Sequence, residues 1–121
     1  MQLDEYQRLA LRTAPINTEN SMGHDLVHAT LGLVTEAAEI ADVLKKKHAY
    51  DKEVDVVVNM KEELGDVPWY CAFMARALGI NLSDAASVNI DKLMVRYPEK
   101  FSKEAALNRN LDAERQVLEK C

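Results

Sequence analysis

Apolar residues recur along most of this chain at helical spacing, with few interruptions by Gly or Pro. Leu3, Tyr6, Leu9 and Ala10 form a first stripe, which predicts a short helix over about residues 3–13, ended by Pro15. The stretch INTENSMG has the polar, Gly-containing character of a connector. His24 and Asp25 open a second predicted helix that reaches about Lys47. Leu26, Leu33, Ala37, Ile40 and Leu44 are its expected core face, and Lys45, Lys46 and Lys47 sit at its end, where cations favour the dipole. After the polar HAYDKEV, a third helix runs from about Val54 to Leu78. Pro68 inside it predicts a kink just after Asp66, and Gly79 predicts a C-terminal cap. A fourth helix is predicted from Ser83, as N-cap, through Ala86, Ile90, Leu93 and Met94 to Tyr97, before Pro98. From Ser102 the tail reads as one shorter, highly charged helix with Leu107, Leu111 and Leu118 as its apolar line. The expected fold is all-α and four-helix-bundle-like, with a C-terminal tail helix. One domain is expected over residues 1–121, with a core over about 1–98 and a tail over about 102–120.

Composition narrows the class. Hydrophobic residues make up 48% and charged residues 29%, the balance of a globular protein rather than a disordered one. Helical chains of 121 residues often gain burial by oligomerising. A net charge of −5 argues against a nucleic-acid binder, which needs a basic footprint. The first ten residues lack the apolar run of a signal peptide, and no stretch approaches the roughly 20 apolar residues of a membrane span. Cys71 and Cys121 stand far apart in no motif. Cys71 reads as a small buried hydrophobe and Cys121 as an exposed end, so a reducing cytoplasm is expected.

Chemistry enters with two acidic pairs, Glu36 with Glu39 and Glu63 with Asp66. Residues three apart share a helix face, so each pair presents two carboxylates from one side. Packed helices would bring four carboxylates together. The plainer reading is four solvated surface acids, but Ile40, Val43, Val67 and Tyr70 occupy the positions where i,i+4 ion pairs would place cations. At about 4 Å and an effective dielectric near 20, each pair of converging carboxylates repels by ~4 kcal/mol. Such a cluster must take up protons or a cation. All-oxygen ligands select Mg²⁺, with Mn²⁺ as a substitute. A di-iron site would need Glu-x-x-His pairs, and neither pair has a His three residues on. His24 and His28 share a face as a Zn pair would, but no third ligand at suitable spacing accompanies them. Glu62 and Asp42 are further acids nearby, with Asp42 expected to face solvent.

On the fourth helix, Asn89, Lys92 and Arg96 fall at i, i+3 and i+7, a polar face suited to phosphate oxygens. Metal and cations together suit a triphosphate chain. Tyr70, one turn beyond Asp66, is a candidate to stack on a base, while Trp69 suits the core.

Taken in order, Glu36-x-x-Glu39, Glu63-x-x-Asp66 and Asn89-x-x-Lys92-Leu93-x-x-Arg96-Tyr97 resemble the MazG-like family of all-α nucleoside triphosphate pyrophosphohydrolases. LGLVTEAAEIAD, KEELGDVPWY, RYPEKFS and the tail ALNRNLDAERQVLE extend the likeness over nearly the whole chain, with Ala38 standing where many members have Gly. The resemblance implies a Mg²⁺-dependent cut between the α and β phosphates of a (d)NTP, giving (d)NMP and pyrophosphate. It implies that Glu36, Glu39, Glu63 and Asp66 hold the metal, and that the protein is a homodimer or dimer of dimers. Two readings compete. One is a phosphoribosyl-ATP pyrophosphohydrolase or dimeric dUTPase-like enzyme of the same superfamily. The other is a non-catalytic helical dimerisation module whose acids are surface residues.

Overall fold

The computed structural model describes residues 1–16 and 22–120. Most of the expected connector before the second helix falls on residues 17–21, outside the described residues, as does the expected exposed end at Cys121. Among the described residues there are six α-helices and no strand: α1 (Leu3–Ala10), α2 (Met22–Ala49), α3 (Val56–Leu78), α4 (Leu82–Arg96), α5 (Lys103–Leu107) and α6 (Leu111–Glu119), with a 3₁₀ turn (Leu11–Thr13) after α1. None of these helices is long and apolar enough to cross a membrane. The chain falls into two compact units, Met1–Leu82 and Ser83–Cys121.

The first unit is built on an α2–α3 hairpin, its most extensive packing, with α1 laid against α3. Gly32 of α2 lets the two long helices approach closely, with the Tyr70 ring of α3 against it. Ala29, Ala72 and Phe73 are fully buried, and Val43 and Ala75 nearly so. The face that α2 turns inward carries Ala29, Gly32, Glu36, Ile40 and Val43, all buried or half-buried. This corrects the expected core stripe, since Ala37 and Leu44 are exposed while Leu26, Leu33 and Ile40 are half-buried. The reason is that α2 is apolar on more than one side. Val27, Leu31 and Val34, directed away from α3, are 60–62% exposed, so periodicity alone cannot pick the inward face.

Helix ends follow local chemistry. The Asp55 side chain caps α3 by accepting from the Val58 N–H at 3.0 Å. Gly79 ends α3 at φ 68°, the left-handed conformation that glycine adopts without a steric penalty. The helix continues through Pro68, whose missing N–H leaves the carbonyl four residues back without its helical donor. α4 begins at Leu82, so Ser83 lies inside the helix rather than capping it. The buried Gln7 meets this junction: its Nε2 donates to the Ile80 carbonyl at 3.1 Å, and its Oε1 accepts from the Leu82 N–H at 2.7 Å. α1 is further held by Trp69, whose Nε1–H is shared between the Ala10 carbonyl (3.1 Å) and Thr13 Oγ1 (2.9 Å). The Arg76 guanidinium stacks on Phe73, donates to the Pro15 carbonyl at 2.9 Å and faces Asp25 at 3.6 Å. Cys71 is half-buried, and burial pushes its thiol up.

In the second unit the tail is two helices, not one. Ser102 caps α5 through the Ala105 N–H and Asn110 caps α6 through the Ala113 N–H, so a second start signal divides the expected single helix. Glu114 of α6 is buried and accepts from two guanidiniums. Arg96 Nε and Nη2 reach its two oxygens at 2.9 and 2.7 Å, and Arg109 Nε and Nη2 at 3.3 and 2.6 Å.

These partners, Arg96 foremost, hold the Glu114 carboxyl well below the usual carboxylate range. A carboxyl depressed on folding adds stability above its unfolded value, near pH 4.3, and that stability is lost as pH falls toward the folded value. The α6 amides should therefore melt at an unchanged temperature down to about pH 5 and progressively earlier below about pH 4. Glu114→Gln should melt earlier at neutral pH and lose most of that acid dependence. Residue-resolved NMR melts of both proteins across pH provide the check.

Candidate metal centre

α2 and α3 run antiparallel in constant register. His28 meets Phe73, Gly32 meets Tyr70, and Glu36 meets Glu63 and Asp66. The i,i+4 steps along α2 and the i,i+3/i+4 steps along α3 place each of these residues on the strip facing the other helix.

Oxygen atoms of Glu36, Glu63 and Asp66 all lie within 4.8 Å of one another, and among the described residues this is the one such group of three. Glu36 and Glu63 are half-buried and Asp66 is exposed. Among the described residues no Lys or Arg forms an ion pair with any of the three. The Glu63 carboxyl is raised above its ordinary value, first by desolvation and then by the negative charges of Glu36, Glu62, Glu39 and Asp66. The expected convergence thus holds for three of the four acids. Glu39 is exposed and lies outside the group, though close enough for its charge to act on Glu63 and on Lys45 and Lys46. Asp42 is neutralised by Lys45 at 3.0 Å and Lys46 at 2.6 Å, away from the cluster's chemistry.

The donors suit a hard divalent cation. They are all carboxylate oxygens, the type such cations take, and none forms an ion pair with Lys or Arg among the described residues. The Tyr6 hydroxyl, held up by burial and by the charges of Cys71 and Asp66, reaches toward the Gly65 carbonyl at 3.4 Å beside this cluster.

The remaining sequence candidates fall in different places. Tyr70 is half-buried with its ring flat on Gly32: a Cβ built there would stand 2.0–2.4 Å from three of its ring carbons. Its edge contact with Trp69 has a centroid separation of 4.9 Å. Asn89, Lys92 and Arg96 lie on α4 in the second unit, and Arg96 directs its guanidinium at Glu114. The pairing of Glu114 with Arg96 and Arg109 went unforeseen because no local spacing links those positions. The Gly32–Tyr70 contact had one visible signal, a glycine within a helical pattern four residues before Glu36.

With that geometry in place, the comparisons give it a setting. Residues 26–101 match the family model described as the MazG nucleotide pyrophosphohydrolase domain. The chain is 36% identical to the "Gene 37 protein" of Mycobacterium phage L5 over 104 residues, covering 79% of this chain and 89% of the phage protein. No solved structure matches the chain. The matched segment contains all three clustered acids, Gly32, Tyr70 and the α4 residues. The chain belongs to the MazG nucleotide pyrophosphohydrolase domain family.

Proposed function

We propose that this protein is a Mg²⁺-dependent nucleoside triphosphate pyrophosphohydrolase that cleaves (d)NTP between the α and β phosphates, releasing (d)NMP and pyrophosphate. The observation that carries the reading is the convergence of Glu36, Glu63 and Asp66 from two helices, with no ion pair to Lys or Arg among the described residues, inside the segment that matches the family. A surface cluster serving no ligand would retain its repulsion without compensation.

In this reading Glu36, Glu63 and Asp66 hold the cation, and Glu39 completes the set by a side-chain rotation or accepts the proton of the attacking water. When bound, Mg²⁺ supplies the positive charge that the phosphate oxygens and the nucleophilic water both require. Glu39, exposed beside the cluster, suits proton transfer because it can exchange with solvent. Asn89 and Lys92 are proposed as phosphate contacts on their sequence pattern. Arg96 joins them with less of its guanidinium to offer, since Nε and Nη2 bond Glu114. Because the family match runs from residue 26 to 101, it crosses the boundary between the two units, which supports a single catalytic domain. The proposal also includes a four-helix-bundle arrangement and a cytoplasmic setting.

The outer face of α2 supports a second copy as partner. Val27, Leu31 and Val34 follow the 4,3 spacing of a helix–helix seam and are 60–62% exposed, with Ala38 and Ala41 continuing the line.

Turnover, metal-linked melting and mass in solution test this reading. With Mg²⁺ and a panel of (d)NTPs, dUTP and phosphoribosyl-ATP, the protein should release pyrophosphate from at least one. Glu63→Gln should lower kcat by at least about 10²-fold while keeping the fold, the scale for removing one charged group from an electrostatic site. Activity on phosphoribosyl-ATP alone would select that member of the superfamily. Without nucleotide, millimolar Mg²⁺ should raise the melting temperature of the wild type and not that of Glu63→Gln; equal shifts would remove Glu63 from the site. In light scattering the wild type should weigh at least twice the 13.6 kDa of one chain, and Leu31→Glu with Val34→Glu should shift it toward one.

A further inference from the structure

The α2–α3 seam that holds the acids continues past them. One turn along α2 from Glu36 lies Gly32, with the Tyr70 ring against it, and one turn further lies His28. At 1.5 Å of rise per residue, His28 stands about 12 Å along the axis from Glu36. Its imidazole is exposed, yet its position is fixed. The ring meets Phe73 edge-to-face at 5.1 Å and 86°, and Tyr70 at 6.3 Å and 61°. Phe73 in turn is fully buried and clamped by Trp69 and Arg76. The seam thus carries an ordered row in which carboxylates come first, a half-buried aromatic ring next and an exposed imidazole last.

We propose that His28, beside the Tyr70 ring seated on Gly32, is the platform that receives the nucleobase of the substrate. This rests on the pyrophosphohydrolase reading, which places the phosphates at the acids. A nucleotide anchored there extends its sugar and then its base along the seam, and the order of the row matches the order of the ligand. Any nucleobase has a π-face, so stacking gives affinity with little choice among bases. The imidazole edge adds one donor and one acceptor when neutral, which provides a means of choosing. Gly32 matters because any larger residue would push the Tyr70 ring off the helix. A ring already immobilised by packing loses little further freedom when a base settles on it. His28 is therefore a binding residue that acts on affinity and base preference, not on the chemical step.

The test compares wild type, His28→Ala and His28→Phe by calorimetry in Mg²⁺, using α,β-methylene nucleoside triphosphates and inorganic tripolyphosphate as the base-free probe. His28→Ala should weaken the nucleotides by about ten-fold and tripolyphosphate by less than about two-fold. His28→Phe, which keeps a ring on Phe73, should recover most of the nucleotide affinity while flattening the preference among bases. In pyrophosphate release, KM should rise in His28→Ala and kcat should stay within about two-fold. Equal losses for nucleotide and tripolyphosphate, or no loss for either, would overturn the platform and leave the pyrophosphohydrolase standing. A wild type that binds neither probe and releases no pyrophosphate would instead overturn the reading on which the platform rests.

Discussion

The close approach of α2 to α3 is the constraint on which the rest depends. It is possible because Ala29 and Gly32 of α2 put little side chain between the helices, and Tyr70 and Phe73 of α3 take the space that remains. The same small residues fix the antiparallel register, since Tyr70 has one place to lie, over Gly32. Once that register is set, the position of every other facing pair follows from helix geometry. Glu36 must then meet Glu63 and Asp66. The apolar contacts hold together what the carboxylates, left to themselves, would push apart. Each converging pair costs on the order of a few kcal/mol before relaxation, while fully burying a Phe side chain returns about 1.5–3 kcal/mol. The cluster is tolerable in a folded chain and still favours a cation strongly.

Much of this was legible in the sequence, for reasons that can be named. The acidic pairs were visible because a spacing of three is a local property of one helix, and because apolar or aromatic residues stand where partner cations would be. The all-α content of the described residues followed from spacing and from the scarcity of Gly and Pro, with five helices expected and the sixth arising where Asn110 divides the tail. The inward face of α2 was misjudged because Val27, Leu31 and Val34 make a second apolar face as convincing as the first. Buried Gln7 was read past because it sits in a run of ordinary helix residues. Its role depends on backbone groups at Ile80 and Leu82, more than seventy positions away. Glu114 is a similar case. Nothing local distinguishes a glutamate held by two arginines from one in solvent, and Arg96 drew a phosphate assignment because its own helix face looked uncommitted.

Gln7, Trp69 and Arg76 share a logic. Each is a polar group brought into a packed region where its hydrogen bonds go to backbone carbonyls, N–H groups or hydroxyls at the ends of elements. Such groups add modest net stability while they are paired and a larger penalty if left unpaired. They therefore specify where α1 lies on α3 more than they strengthen it. Trp69 and Arg76 also border the aromatic cluster, so the segment that positions α1 positions the rings of Phe73 and Tyr70 as well.

Packed rings and frustrated charges lie along one helix–helix seam. The acidic end is held in a geometry that its own electrostatics oppose, and it gains most from a ligand that brings positive charge. The aromatic end is satisfied in the absence of ligand, and it can offer only surface that is already rigid. A metal–nucleotide complex is the chemistry that addresses both at once, because the cation relieves the first end and the base covers the second. Such a ligand would bridge the two strips along the line of contact that fixes their register. In the proposed reading its binding should stiffen the hairpin without moving either helix.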